Sequence, residues 1–243
     1  MKIKQIFAVL AVSASLMSCN FLDEFDPNAT TAGNFYTSEA DIETSLNGVY
    51  QSLAQSYYYQ YNYYFTDVRA HVTVVTDSGA SSGIPYQFYN YTLTEENQYV
   101  YNRYTQLFKS ISRVNTLLSH LDDVTYSASE ARDTYEAEAR FVRALTYFHL
   151  VTEWGDVPLM TVPVYSIKED NIRPERSSVD AVYSTIISDM EWVATIVEEK
   201  PSAITVSSGV SYPLTVSRAA AKTLLAQMYL VRKEYMNVIE TLR

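Results

Sequence analysis

The chain has 243 residues, 47% of them hydrophobic, with 18 basic and 28 acidic side chains and a formal charge of −10. Such acidity argues against nucleic acid and against electrostatic docking on anionic lipid, and a single cysteine, Cys19, excludes an intrachain disulfide. Few glycines and prolines leave room for one real core; the 22 tyrosines would suit wet interfaces, sugar faces or helix packing equally.

Residues 1–18 read as a signal peptide. Lys2 and Lys4 form a positive start, and Ile6 to Met17 is an apolar run too short to span a bilayer. Leu16-Met-Ser-Cys19 then reads as a lipobox, which makes Cys19 the lipidated first residue of the mature chain. Sixteen basic against 28 acidic residues remain after cleavage, a net charge of −12, so attachment rests on acyl chains rather than on charge. Residues 19–34 carry Pro27, Gly33 and no apolar period, the pattern of an extended tether.

A first helix is expected over Ser38 to Ala54, with Ile42, Leu46, Val49 and Leu53 on one stripe and Ser38 or Thr37 as cap. Residues 55–98 are less regular. They hold the Tyr57–Phe65 run, whose density suggests packing, a Val-rich alternation at 71–76, and loop chemistry from Asp77 to Gly83. Val100, Tyr104, Leu107, Ile111, Val114, Leu118 and Leu121 then recur at spacings of four and three, a second helix.

Ser127-Ala-Ser-Glu130 has the letters of a capping box, and Phe141, Leu145, Phe148 and Val151 make the stripe of a third helix. Gly155 offers the left-handed closure and Pro158 forbids resumption. Glu136, Glu138, Arg140 and Arg143 are assigned to the polar side of this helix as scaffold, and Trp154 to packing of its turn. An extended connector follows to Glu175. A further helix runs from about Ser178 to Glu199, with Val182, Ile186, Met190, Val193 and Val197 inward and Pro201 as its end. Leu225, Ala226, Tyr229, Tyr235, Val238 and Leu242 match the offsets of a tetratricopeptide unit, although Lys233 stands where that repeat usually has Gly. The unit's second helix has just begun at Arg243, so the chain reads as ending inside a repeat.

Glu138-Ala-Arg-Phe141 leading to Trp154-Gly-Asp-Val-Pro158 resembles the signature of the SusD/RagB family of Bacteroidetes lipoproteins. Leu46-Asn-Gly-Val-Tyr50 and the Arg113-Val-Asn115 helix resemble the same family, and Asp23, Glu24 and Asp26 after Cys19 resemble a surface-export signal. His149 stands where the family often has Asp. The resemblance runs over residues 16–243 and covers the N-terminal half of a typical member, so the chain reads as truncated. It implies a mostly α fold of tetratricopeptide-like helix pairs, with irregular loops and room for a short β element. It also implies a lipid-anchored outer-membrane protein facing the cell exterior. Such a protein captures an oligo- or polysaccharide, or another nutrient, for a SusC-type TonB-dependent transporter. Its ligand loops imply Asp77, Tyr86, Phe88, Tyr89 and Asn90 as contacts, each weighed against turn or packing roles.

The chemistry expected is binding without catalysis and without a cofactor. The chain has no Walker loop, no His-Glu-x-x-His and no dinucleotide fingerprint. His71, His120 and His149 lack metal-ligand spacing, and Asp122-Asp123 and Glu198-Glu199 fit solvated helix ends better than an acid/base pair. Two alternatives stay open: a tethered tetratricopeptide scaffold for protein partners without a glycan site, or a non-functional fragment.

Overall fold

The computed structural model describes residues 35–75, 83–165, 173–199 and 215–243, together with the backbone of 203–205 and 211–213. The signal peptide, Cys19, the tether and Asp77 lie outside the described residues. Helix α1 spans Glu39–Leu53 and starts where the sequence places it. The Asp41 carboxylate accepts from the backbone N–H groups of Thr37 and Ser38 at 3.1 and 2.9 Å, satisfying donors that a helix start leaves orphaned. Ile42, Leu46 and Val49 are buried against Val114, Leu117 and Leu121 and against Ala139 and Val142.

Helix α2 is the short Ile84–Tyr89. Helix α3 spans Gln98–Ser119, α4 Ala131–Trp154, α5 Val179–Ile196, α6 Arg218–Val231 and α7 Tyr235–Leu242. The long helices α3 to α7 pack in chain order, each on the next, and α1 closes over α3 and α4. This is the stacked-pair arrangement expected of tetratricopeptide-like units. One short hairpin pairs β1, Ala203–Thr205, with β2, Ser211–Pro213, antiparallel through Ile204 and Tyr212. The Val-rich alternation does not form a strand over its described part. His71 takes φ +56°, which breaks the pleat, and Val72 and Val74 are exposed.

Helix α4 is the common wall of the fold. Ala137, Ala139 and Ala144 let its neighbours approach closely, and Val142, Tyr147, Leu150 and Val151 fill the remaining space. Being packed against α1, α3 and α5, it has a narrower polar side than its letters suggest. Glu138 and Arg143 are buried, a correction to the assignment of both to a polar side. Arg143 Nη2 donates to Asp189 Oδ2 at 2.8 Å and Arg140 Nη1 to Asp189 Oδ1 at 3.0 Å, tying α4 to α5. Arg143 also reaches Asn115 Oδ1 at 3.4 Å, and Asn115 donates to Met160 C=O at 2.9 Å. Glu138 accepts from the Tyr50 hydroxyl at 2.6 Å. The role remains scaffold, now inside the core.

Three local expectations shift. Ser127 does not cap α4: the cap residue is Glu130, in helical geometry, while the Ser127 N–H donates to Glu39 Oε2 at 2.8 Å across to α1. The α3 stripe runs through fully buried Leu117 rather than Leu118. Gly155 closes α4 at φ +71°, ψ −123°, outside the left-handed helical well but still in territory that favours glycine.

Candidate functional site

Two π-helical turns, Ser56–Gln60 and Tyr64–Val68, occupy the tyrosine-rich stretch. Tyr61 N–H donates to Ser56 C=O at 2.9 Å, the wide i→i+5 bond that closes the first, and another such bond, Val72 N–H to Asp67 C=O at 2.9 Å, follows the second. Isolated π turns are uncommon and recur at functional sites. What holds them is Arg103, a fully buried arginine on α3. Its Nη1 donates to the carbonyls of Tyr57 and Tyr58 at 3.2 and 2.8 Å, and Nη2 to Asn62 Oδ1 at 2.7 Å. Nε donates to Glu153 Oε2 at 2.6 Å, and the guanidinium lies 4.6 Å over the Phe65 ring. A planar fork with five donors can bind all of these at once; a lysine cannot.

Around this peg the tyrosines form two groups. The rings of Tyr57, Tyr61 and Tyr99 lie 5.0–5.7 Å apart, and Tyr64 joins them at 5.4 Å from Tyr99. Burial and then the neighbouring Tyr63 hydroxyl hold the Tyr64 phenol well above the usual tyrosine range, so it stays neutral. The second group surrounds His71, whose ring lies 4.6 Å from Tyr89 and 5.2 Å from Tyr91. His71 Nε2 meets the Tyr89 carbonyl at 2.9 Å, and Tyr91 OH donates to Arg69 C=O. Both His71 and Tyr91 adopt positive φ, +56° and +54°. Two strained non-glycine residues in contact mark a backbone over-determined by its surroundings. Tyr86 lies 6.0 Å from Tyr89 on α2.

Of the residues named from the sequence, Tyr86 and Tyr89 are half-buried and together, and Asn90 follows them, exposed. Phe88 is not a surface residue. It is fully buried 4.8 Å from Phe65 and beside Val68, because one face of so short a helix must close the core beneath the loops. Asp77 lies outside the described residues. Trp154 packs, with its ring edge-on to Tyr104 at 5.3 Å.

Periodicity alone does not join Arg103, Glu153 and His149 into an ion network. Arg103 sits four residues before Leu107 on the apolar stripe, and a charge on such a stripe is the signal that could have found it. His149 lies in this network with Nδ1 3.5 Å from Arg103 Nη2. Burial, with Arg103 adding to it, pushes the imidazole down to about 4. Burial raises the Glu153 carboxyl, with Arg103 opposing. Among the described residues no group of three His, Cys, Asp or Glu could hold a metal ion, and no helix is long and apolar enough to cross a membrane. Gly79-Ala-Ser-Ser-Gly83 spells the Gly-x-Ser-x-Gly pattern of a nucleophile elbow. Residues 76–82 lie outside the described residues, and upstream of them residues 71–75 are turn and irregular backbone.

A family model of SusD-like proteins, described as starch-binding and associating with the outer membrane, matches residues 20–230. SusD-like protein P25 of Formosa agariphila is 30% identical over 207 residues, 79% of this chain and 37% of that protein. SusD-like protein P2 of the same organism is 25% identical over 241 residues, 98% of this chain and 45% of its own length. The chain thus spans less than half the length of these relatives. Among solved structures, a laminarin-binding SusD-like protein shares the fold at TM-score 0.68 and 23% identity, over 85% of this chain and 43% of the other.

Proposed function

This chain belongs to the SusD-like family, and we propose that it is a non-catalytic glycan-capture protein whose tyrosine-rich loops contact the sugar. Lipidated at Cys19 and held on the outer face of the outer membrane, it delivers its ligand to a SusC-type TonB-dependent transporter. No bond is made or broken. The observation that supports this best is the ordered aromatic group of Tyr86, Tyr89 and Tyr91 around His71. Ordered rings offer flat faces to sugar C–H groups, and their entropy is already spent in the protein's own fold. The contact surface is that of Tyr86, Tyr89 and Asn90, with the His71–Tyr91 contact holding it. Asp77, a few residues earlier in the chain, adds a carboxylate for sugar hydroxyls. The family's starch-binding description and the laminarin-binding neighbour both point to uncharged glucans as the first ligands to try.

The test is calorimetric titration of the full chain in detergent with maltohexaose and laminarihexaose. Tyr86→Ala combined with Tyr89→Ala is expected to weaken binding at least about tenfold, which corresponds to roughly 1.4 kcal/mol. Unchanged affinity in the double variant would remove these loops from the site. A second reading has its own observation: Leu230, Val231, Tyr235, Met236, Ile239 and Leu242 expose apolar surface on α6 and α7. Co-purification of a transporter by a chain that binds no glycan would favour a protein-interaction scaffold instead.

A further inference from the structure

A cavity of about 540 Å³ opens where the end of α1, the first π turn and α4 meet. It is lined by Tyr50, Leu53, Tyr58, Tyr59, Asn62 and His149, and shares no lining residue with the Tyr86–Asn90 surface. Its size lies within the range of ordinary ligand pockets, roughly 300–1,000 Å³. The aliphatic and aromatic walls make it mostly apolar. The polar groups are few, and most are already committed. The Tyr50 hydroxyl is used by Glu138 at 2.6 Å and the Tyr58 hydroxyl by Thr146 Oγ1 at 2.9 Å.

Two polar groups remain free, and Arg103 fixes the direction of one. A guanidinium only donates, so the Asn62 oxygen must face it, at 2.7 Å, and the Asn62 amide N–H2 is turned away with no partner among the described residues. The other is on His149. Its Nδ1 contacts Arg103 Nη2 at 3.5 Å, while Glu153 at 3.7 Å is beyond hydrogen-bond reach. Neither contact fixes the tautomer, because both Nη2 hydrogens are already donated, to Asn62 Oδ1 and Glu153 Oε1; Nε2 has no partner among the described residues and meets a sugar hydroxyl as donor or acceptor. The third element is the Tyr59 ring, 78% exposed and outside both tyrosine groups.

A fixed amide donor, a free imidazole nitrogen and an open aromatic face select a neutral ligand that carries hydroxyl groups and an apolar C–H surface. No lysine or arginine lines the cavity to attract an anion, and no carboxylate lines it to attract a cation. We propose that this cavity is a second glycan subsite, which takes an uncharged pyranose stacked on Tyr59 and held through its oxygens by Asn62 Nδ2 and His149 Nε2. It rests on the reading of the protein as a glycan binder. The arginine that holds the tyrosine turns thereby also orients the amide donor of this cavity.

Hydroxyl-radical footprinting of the full chain in detergent tests it, with maltohexaose and laminarihexaose as probes and hexagalacturonate as the anionic control. A neutral probe is expected to protect Tyr59 at least threefold. That protection should survive Tyr86→Ala with Tyr89→Ala and be lost in Asn62→Asp, which keeps the oxygen facing Arg103 but removes the donor. A thermal melt establishes that Asn62→Asp is folded, and Tyr59→Ala, at an exposed position, supplies a second variant that should lose part of the calorimetric stoichiometry. Protection of Tyr86 and Tyr89 with Tyr59 unchanged would overturn the subsite and leave the glycan reading standing. Protection nowhere would overturn both. Equal protection by hexagalacturonate would overturn the neutral class, and protection of Tyr59 by outer-membrane extract but by no glycan would assign the cavity to a protein partner.

Discussion

The helical stack from α3 to α6 and the tyrosine turns between α1 and α3 are held by different physics. In the stack, apolar side chains recur at helical spacing, and each helix buries its stripe against the next; Val182, Ile186, Met190 and Val193 on α5 are all fully buried. Around the turns, aromatic side chains are dense but have no period, and the backbone departs from α geometry. There one buried polar residue lent by a neighbouring helix, Arg103, decides the conformation. Periodic burial tolerates small errors, because many contacts share the load. A single peg concentrates the load, and its loss should be local and severe.

The largest expected effect follows from that contrast. Arg103→Leu leaves Glu153 buried without its cation and frees two carbonyls and Asn62, at a cost of about 3–5 kcal/mol. Hydrogen exchange should speed over residues 56–68 while α5 and α6 keep their protection. Arg103→Lys should rescue little, since an ammonium cannot bind two carbonyls, an amide and a carboxylate in one plane. Lysine behaving like wild type would mean that the charge alone matters. The counterpart in the stack is Asp189→Ala, which strips Arg143 of its buried carboxylate. It is expected to cost about 3 kcal/mol, less than Arg103→Leu because Arg143 keeps Asn115 and Arg140 keeps Glu136. Here exchange should speed along α4 and α5 and spare the tyrosine turns. If both variants melt the whole domain alike, the two regions are one cooperative unit and the comparison fails.

His149 joins the regions and gives the contrast a pH dependence. Its folded value, about 4, lies below the ordinary histidine value of 6.5. The unfolded chain therefore binds the extra proton first. Stability from keeping this ring neutral is present above pH 6.5 and is lost as pH falls from 6.5 towards 4. Buried Glu138 and Glu153 act in the opposite sense, since their raised values make the folded state the better proton acceptor above pH 4.5. The clean measurement is thus a difference: between pH 7 and 4.5, wild type should lose about 2 kcal/mol more than His149→Asn. Equal losses would show that His149 is solvated.

Much of the stack is legible in the order of its residues. The stripes of α1, α3 and α5, the Ser38 and Ser178 starts and the stop at Gly155 all follow from local spacing and backbone chemistry. The Ser127 box fails because a capping pattern states only what a side chain can reach, and Glu39 of another helix reaches Ser127 first. The candidate site is half legible. Tyrosine density locates the region, but which ring faces solvent depends on a partner about 40 residues away in sequence. Phe88 and Tyr89 are neighbours with the same letters of promise; the core beneath them, Phe65 and Val68, takes one and leaves the other. Arg103 is hidden for a related reason. A charged residue on an apolar stripe looks like a flaw in the stripe until the carbonyls it binds are known.

The smallest effect concerns the far end of the stack, where the two modes of stabilisation meet in one residue. Helix α6 turns into α7 through Lys233, at φ +62°. The turn is well bonded: Lys233 N–H donates to Leu230 C=O at 3.0 Å and Glu234 N–H to Tyr229 C=O at 2.9 Å. A left-handed residue with a Cβ costs about 1–2 kcal/mol relative to its ordinary conformation, and glycine escapes that cost while paying more entropy on folding. The net gain expected for Lys233→Gly is therefore about 0.5–1 kcal/mol. The side chain is exposed and Lys233 has no ion-pair partner among the described residues, so little is lost with it. Because α7 buries no residue fully, the gain should slow exchange in α6 and α7 and leave the tyrosine turns untouched. A uniform rise in protection that reached residues 56–68 would show that the peg and the stack share their stability after all.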